Sequence, residues 1–202
     1  MNKKTIITVQ HTESEHHLNG HAGGWGDWPL TENGRKQAFE IGKWLQDKGT
    51  GEGFIMYCSD LKRAVQTAEE INKTLHLEPV MSELIREVNA GEGNGKPWEW
   101  FNGHKIPQSG YDPDYRPFAD AESDRDLWNR LRPFYEQIIS GTDENILIVS
   151  HGCLLGFLQA MLMGFEFDDL RKARFKGRSG SISGFTIDPD RRVTANYINF
   201  RL

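Results

Sequence analysis

Two short apolar runs that each stop at a histidine constrain this chain more than any other feature. Ile6-Ile7-Thr8-Val9 runs into Gln10-His11, and Asn145-Ile146-Leu147-Ile148-Val149-Ser150 runs into His151-Gly152. A continuous run rich in Ile and Val, unlike an alternating one, reads as a strand buried on both faces, as in parallel sheets covered by helices. In open α/β sheets, reactive side chains and ligands gather outside the carboxyl ends of such strands. If the two strands are neighbours, the two histidines meet.

The sequence between them alternates strand and helix. Thr31 can cap a helix carrying Ala38, Ile41, Trp44 and Leu45 at helical spacing, with Gly49 at its end. Phe54 to Cys58 reads as a strand, and Ser59 as the N-cap of a helix with Ala64, Ala68, Ile71 and Leu75 on one face. That order is the βαβ signature of a parallel sheet. Glu122 to Ile139 is helical again, with Pro133 predicting a kink or a break. Ile146 to Val149 and Leu154 to Met163, closed by Gly164, repeat the βα unit, and Ser181–Ile187 with Val193–Phe200 suit a hairpin.

Two stretches resist this pattern. Glu13 to Pro29 is polar and glycine-rich, and its length points to a functional loop. From Gly91 to Ala121 the periodicity fails and the stretch reads as a lid. The expected fold is therefore α/β: a three-layer αβα sandwich around a mostly parallel, Rossmann-like sheet, with an inserted lid (about 91–121) and a C-terminal β-hairpin. Residues 1–202 are expected to form a single domain.

The net charge of −5, with no basic block, argues against a nucleic-acid partner. The basic start Asn2-Lys3-Lys4 precedes an apolar run too short for a signal peptide, and no segment approaches the ~20 apolar residues of a membrane span. The cytoplasm is the default compartment, and no membrane partner is expected. Cys58 and Cys153 lack metal or disulfide spacing and read as two reduced, buried thiols. The cluster His16, His17 and His21 lacks a thiolate or a helical two-histidine spacing, so no metal is expected.

His11, Arg63, Glu87 and His151 are ordinary residues one at a time. Three of the four follow expected strands, so the sheet itself can bring them to one edge. The residues around them resemble the histidine phosphatase superfamily, the phosphoglycerate-mutase-like proteins. Gln10-His11-Thr12 stands where that family has Arg-His-Gly. The resemblance continues through Gly24 with Asp27, Pro29-Leu30-Thr31, Gly34, Ser59-Asp60-Leu61-x-Arg63-Ala64, Leu84 with Glu87 and Gly91, Glu122 with Asp126 and Arg130, and Ser150-His151-Gly152.

The resemblance implies a phosphatase acting on a small phosphomonoester, with no cofactor. His11 would be the nucleophile that forms a phosphohistidine, and Arg63 would clamp the phosphoryl oxygens. A protonated His151 would stabilise their charge, and Glu87 would move the proton of the leaving oxygen and of water. Gln10, and either His17 or Asn19 in place of the family's asparagine, would complete the phosphate contacts. Exchanging arginine for Gln10 trades a charge-assisted hydrogen bond for a neutral one, a deficit of about 1–2 kcal/mol, or roughly tenfold. A protonated His17 would restore part of that charge, whereas Thr12 crowds a turn the family keeps bare.

Two alternatives stay open: a phosphoglycerate mutase, and a catalytically weak binding or regulatory protein on the same fold. The sparse basic content of the lid (Lys96, His104, Lys105, Arg116) favours hydrolysis. Oligomeric state is left open, a homodimer being one option.

Overall fold

The computed structural model describes residues 3–202; Asn2, at the basic start, lies outside them. Six strands form one sheet: β1 Lys4–Gln10, β2 Phe54–Cys58, β3 Pro79–Met81, β4 Asn145–Ser150, β5 Ile182–Ile187 and β6 Val193–Phe200, in spatial order β3-β2-β4-β1-β5-β6. The first four strands are parallel, and the β5–β6 hairpin extends the sheet antiparallel from β1. The two histidine-bearing strands, β1 and β4, are direct neighbours. Their register sets Val9 beside Val149 and Gln10 beside Ser150, and the amide of His11 donates to the Ser150 carbonyl at 2.8 Å.

The strands are apolar on both faces because both faces are covered. Ile6, Ile146 and Ile148 point to one side, where they pack with helices α5 (Asp124–Ser140) and α6 (Gly152–Leu162). Ile7, Val9, Leu147 and Val149 point to the other, against α2 (Glu32–Asp47) and α3 (Lys62–Leu75). This is the expected three-layer arrangement.

Four local expectations change. The cap of α3 is not Ser59: the N-cap residue is Leu61, and the side chain of Asp27 accepts the amide of Lys62 at 3.2 Å. The stretch from Glu13 to Pro29 is not wholly loop, because a one-turn helix, α1 (Glu15–Asn19), lies within it. Helix α5 runs through Pro133 unbroken to Ser140, since Phe134 and Ile138 beyond the proline are buried in the core and hold the second half in place. In the lid, α4 (Trp98–His104) is helical with no buried residue, and Phe118 and Ala121 anchor the chain's return. Among the described residues, no helix is long and apolar enough to cross a membrane.

Candidate active site

The carboxyl ends of β1 and β4 open into a cavity of about 440 Å³ whose wall includes Gln10, His11, His17, Arg63 and Glu87. His11 leaves β1 almost wholly buried, and its Nδ1 lies 2.9 Å from the Thr12 carbonyl oxygen. A carbonyl can only accept, so Nδ1 carries the proton and Nε2 holds a lone pair. Burial, and then the charge of Arg63, push the His11 pKa well below the usual value, so the ring is neutral.

Arg63 reaches this site from the first turn of α3 and is only 1% exposed. Its Nε donates to His11 Nε2 at 3.2 Å, its Nη1 to the Gly26 carbonyl at 2.8 Å and its Nη2 to the Gly24 carbonyl at 2.7 Å. A guanidinium has five N–H groups, so two remain for an incoming ligand. Burial lowers its pKa to about 10, which leaves it fully charged at neutral pH. A buried cation held by carbonyls and a ring nitrogen is a place for an anion.

His151 is fully buried at the head of α6, its ring centroid 5.2 Å from that of His11. Its Nε2 lies 2.8 Å from Ser59 Oγ, and its Nδ1 has no hydrogen-bond partner. The same Ser59 Oγ accepts the Leu61 amide, so its own proton can go to Nε2 and leave Nδ1–H as the unused donor. In the unliganded site the ring is neutral, whereas the expected protonation is that of a ring beside a bound phosphate. Burial, and then Arg63, push its pKa well below the usual value.

Glu87 lies at the N-terminus of α6, where it accepts the amides of Val88 at 2.9 Å, Cys153 at 3.1 Å and Leu154 at 3.2 Å. Arg130 fixes the backbone beneath it. That side chain pairs with Glu122 at 2.7 Å and donates to the carbonyls of Leu84, Arg86 and Glu87. Trp25 Nε1 donates to the Glu87 carbonyl as well, at 2.7 Å.

His17 is brought into the wall and Asn19 is not: Asn19 is exposed at the end of α1, its carbonyl accepting from His21 Nδ1. The His17 ring stacks on His11 at 5.5 Å, and the Ser14 amide donates to its Nδ1 at 3.2 Å. This leaves Nε2–H as the donor of the neutral ring. Burial and Arg63 also lower the His17 pKa, so it supplies no charge before an anion arrives.

The Gln10 carboxamide fits between two bare backbones. A Cβ at Gly152 or Gly177 would come within 2.9 or 2.7 Å of it. The Thr12 side chain is buried with its hydroxyl 3.4 Å from that of Thr67, and the Thr67 hydroxyl donates onward to the Arg63 carbonyl.

Sequence reasoning missed Ser59 and Thr67 as partners of catalytic candidates and gave Arg130 no role. The Glu122–Arg130 spacing was visible, but a clamp on carbonyls leaves no trace in side-chain chemistry. It also set aside a metal, yet the ring nitrogens of His11, His16 and His17 lie within 4.8 Å of one another. The contact of Arg63 with His11 Nε2 puts a positive charge beside that trio and opposes a second cation. Cys58 is buried as expected, while Cys153 is only partly so and joins the cavity wall; burial raises both thiols' pKa values.

Comparison with known proteins supplies the class: the relatives are phosphatases and phosphoglycerate mutases, and this chain is a phosphoryl-transfer enzyme. A family model, histidine phosphatase superfamily (branch 1), matches residues 6–199, and the chain belongs to that superfamily. It is 28% identical over 210 residues to the 2,3-bisphosphoglycerate-dependent phosphoglycerate mutase of Bartonella tribocorum, covering 96% of this chain and 98% of that protein. It is 29% identical over 160 residues to the Bacillus subtilis protein named "Uncharacterized phosphatase PhoE", covering 79% of this chain and 77% of that one. The fold matches that of a mycobacterial glucosyl-3-phosphoglycerate phosphatase solved with VO3, at a TM-score of 0.81 and 22% identity, over 97% and 99% of the two chains.

Proposed function

We propose that this protein is a phosphatase that hydrolyses a phosphomonoester through a phosphohistidine on His11. The observation that carries the reading is the His11 ring itself, which is neutral, has its proton fixed on Nδ1 by the Thr12 carbonyl, and points Nε2 at the Arg63 guanidinium.

In the first step Nε2, freed from its hydrogen bond with Arg63 Nε as the phosphoryl group docks, attacks phosphorus; the N–P bond forms and the ester P–O bond breaks with its electron pair leaving on oxygen. Arg63 holds the equatorial oxygens through its two spare N–H groups. The unpartnered Nδ1–H of buried His151 is suited to another of these oxygens, and a dianion there would draw its pKa upward. Glu87 gives the leaving oxygen a proton and, in the second step, takes one from the water that attacks phosphorus as the N–P bond breaks and its electron pair returns to Nε2. The three amides occupy three of the four lone-pair sites of the Glu87 carboxylate, and the fourth, on Oε2, is where that proton can sit.

The test is turnover of a chromogenic phosphomonoester beside 3-phosphoglycerate with 2,3-bisphosphoglycerate, with His11→Ala as control. Phosphate release that falls about 10⁴-fold or more in the control is expected. Isomerisation without release points to a mutase, and absence of any phosphohistidine after an alkaline quench, in which the N–P bond survives, overturns the covalent mechanism.

A further inference from the structure

Resting on the phosphatase reading, we propose that a side cleft beyond Gln10 and Glu87 receives the leaving group. Its preferred substrate is a phosphomonoester of a flat, mostly apolar alcohol that carries one further anionic group. The cleft has a volume of about 640 Å³ and shares Gln10, Glu87 and Trp98 with the phosphoryl cavity, so the two form one continuous space. A group departing from phosphorus on the Glu87 side enters it directly.

The walls state the chemistry of the occupant. Phe157, Leu170, Phe175 and Trp98 line the cleft. Gly177 also lines the cleft, and a Cβ there would come within 2.7 Å of the Gln10 carboxamide. Aromatic and aliphatic side chains set among charged ones favour a ligand that buries apolar area and carries a charge. A three-carbon alcohol would cover little of these walls.

Two cations border the cleft, and only one is free. Arg174 pairs with Asp124 and lies over the rings of Tyr111 at 5.2 Å and Phe157 at 5.9 Å. Lys176, exposed at the same wall, forms no ion pair among the described residues. A carboxylate or second phosphate on the alcohol would complete it.

The experiment compares three esters of primary alcohols, so that leaving-group basicity does not decide the outcome: glycerol 3-phosphate, 2-(naphthyl)ethyl phosphate and its ring-carboxylated derivative. We expect kcat/KM to rise by about tenfold or more from the first to the second, and by a further two- to fivefold or so for the third, the scale of an exposed ion pair. Phe175→Ser should shrink the first gap and Lys176→Ala the second, mainly through KM. The product alcohols, as competitive inhibitors of the unaltered protein, should rank in the same order.

Similar kcat/KM for all three esters, or gaps that survive both variants, overturns the cleft assignment and leaves the phosphatase reading standing. No gain from the carboxylate overturns the anionic part alone. Failure to turn over any ester, with no phosphohistidine trapped, removes the phosphatase reading itself.

Discussion

The carboxyl edge of β1 and β4 and the lid from Gly91 to Ala121 both border the reaction space, but different forces hold them. At the edge, His11, Arg63 and His151 are 3% exposed or less, and each is fixed by a hydrogen bond to backbone or to a side chain itself buried. In the lid, Trp98, Ile106 and Tyr111 are between 42% and 49% exposed, and α4 buries nothing. The edge can hold reacting groups to a few tenths of an ångström. Away from its anchors Phe118 and Ala121, the lid can change its exposed side chains at small energetic cost. Chemistry and selectivity thus rest on separate materials, one rigid and one permissive.

The sharpest way to break that contrast is Arg63→Lys. Lysine keeps the charge but loses the planar fork, so the contacts to His11, Gly24 and Gly26 cannot all survive. We expect kcat/KM to fall about 10²–10³-fold, on the scale of a lost oxyanion contact; a fall below tenfold would show that the edge is not rigidly set.

Acid is the next probe. His11, His16 and His151 all have folded pKa values below 6.5, that of His16 at about 3, with burial the main cause. The unfolded chain therefore binds these protons first. Stability should drop as pH falls from about 6.5 toward 5, by up to about 1.4 kcal/mol per pH unit for each histidine, before the carboxylates begin to titrate. Thermal melts across that window measure the slope, and His16→Gln should lower it by one histidine's share.

Gln10→Arg restores a charged contact at the edge and should tighten inorganic phosphate about tenfold by calorimetry. Unchanged affinity would mean that Gln10 does not reach the phosphate. The smallest effect is expected in the lid. Trp98→Ala should cost less than about 0.5 kcal/mol of stability, as exposed substitutions do, while shifting KM several-fold with kcat held. A loss of kcat matching that of Arg63→Lys would erase the distinction between the two regions.

The sequence made the edge legible because its chemistry is local. A buried strand is a run of Ile and Val, and the residue after Val9 or Ser150 must stand at the strand's end. The register that makes His11 and His151 neighbours needed only the two runs to be adjacent. Ser59 was misread because its spacing suits a cap, whereas its partner, His151, lies 92 residues away at the N-cap of α6. The resting charge of His151 was not legible for a related reason: the field of Arg63 and the depth of burial belong to the assembled site. The lid stayed opaque because aromatic residues without periodicity fit packing and ligand contact equally well.

The loop from Gly24 to Asp27 carries one last consequence. Its carbonyls hold Arg63, and Asp27 caps the helix from which Arg63 projects. The guanidinium therefore has no rotamers left to search when an anion arrives. Capture should then be limited by encounter rather than by rearrangement, with an association rate that falls as added salt shortens the reach of that single charge.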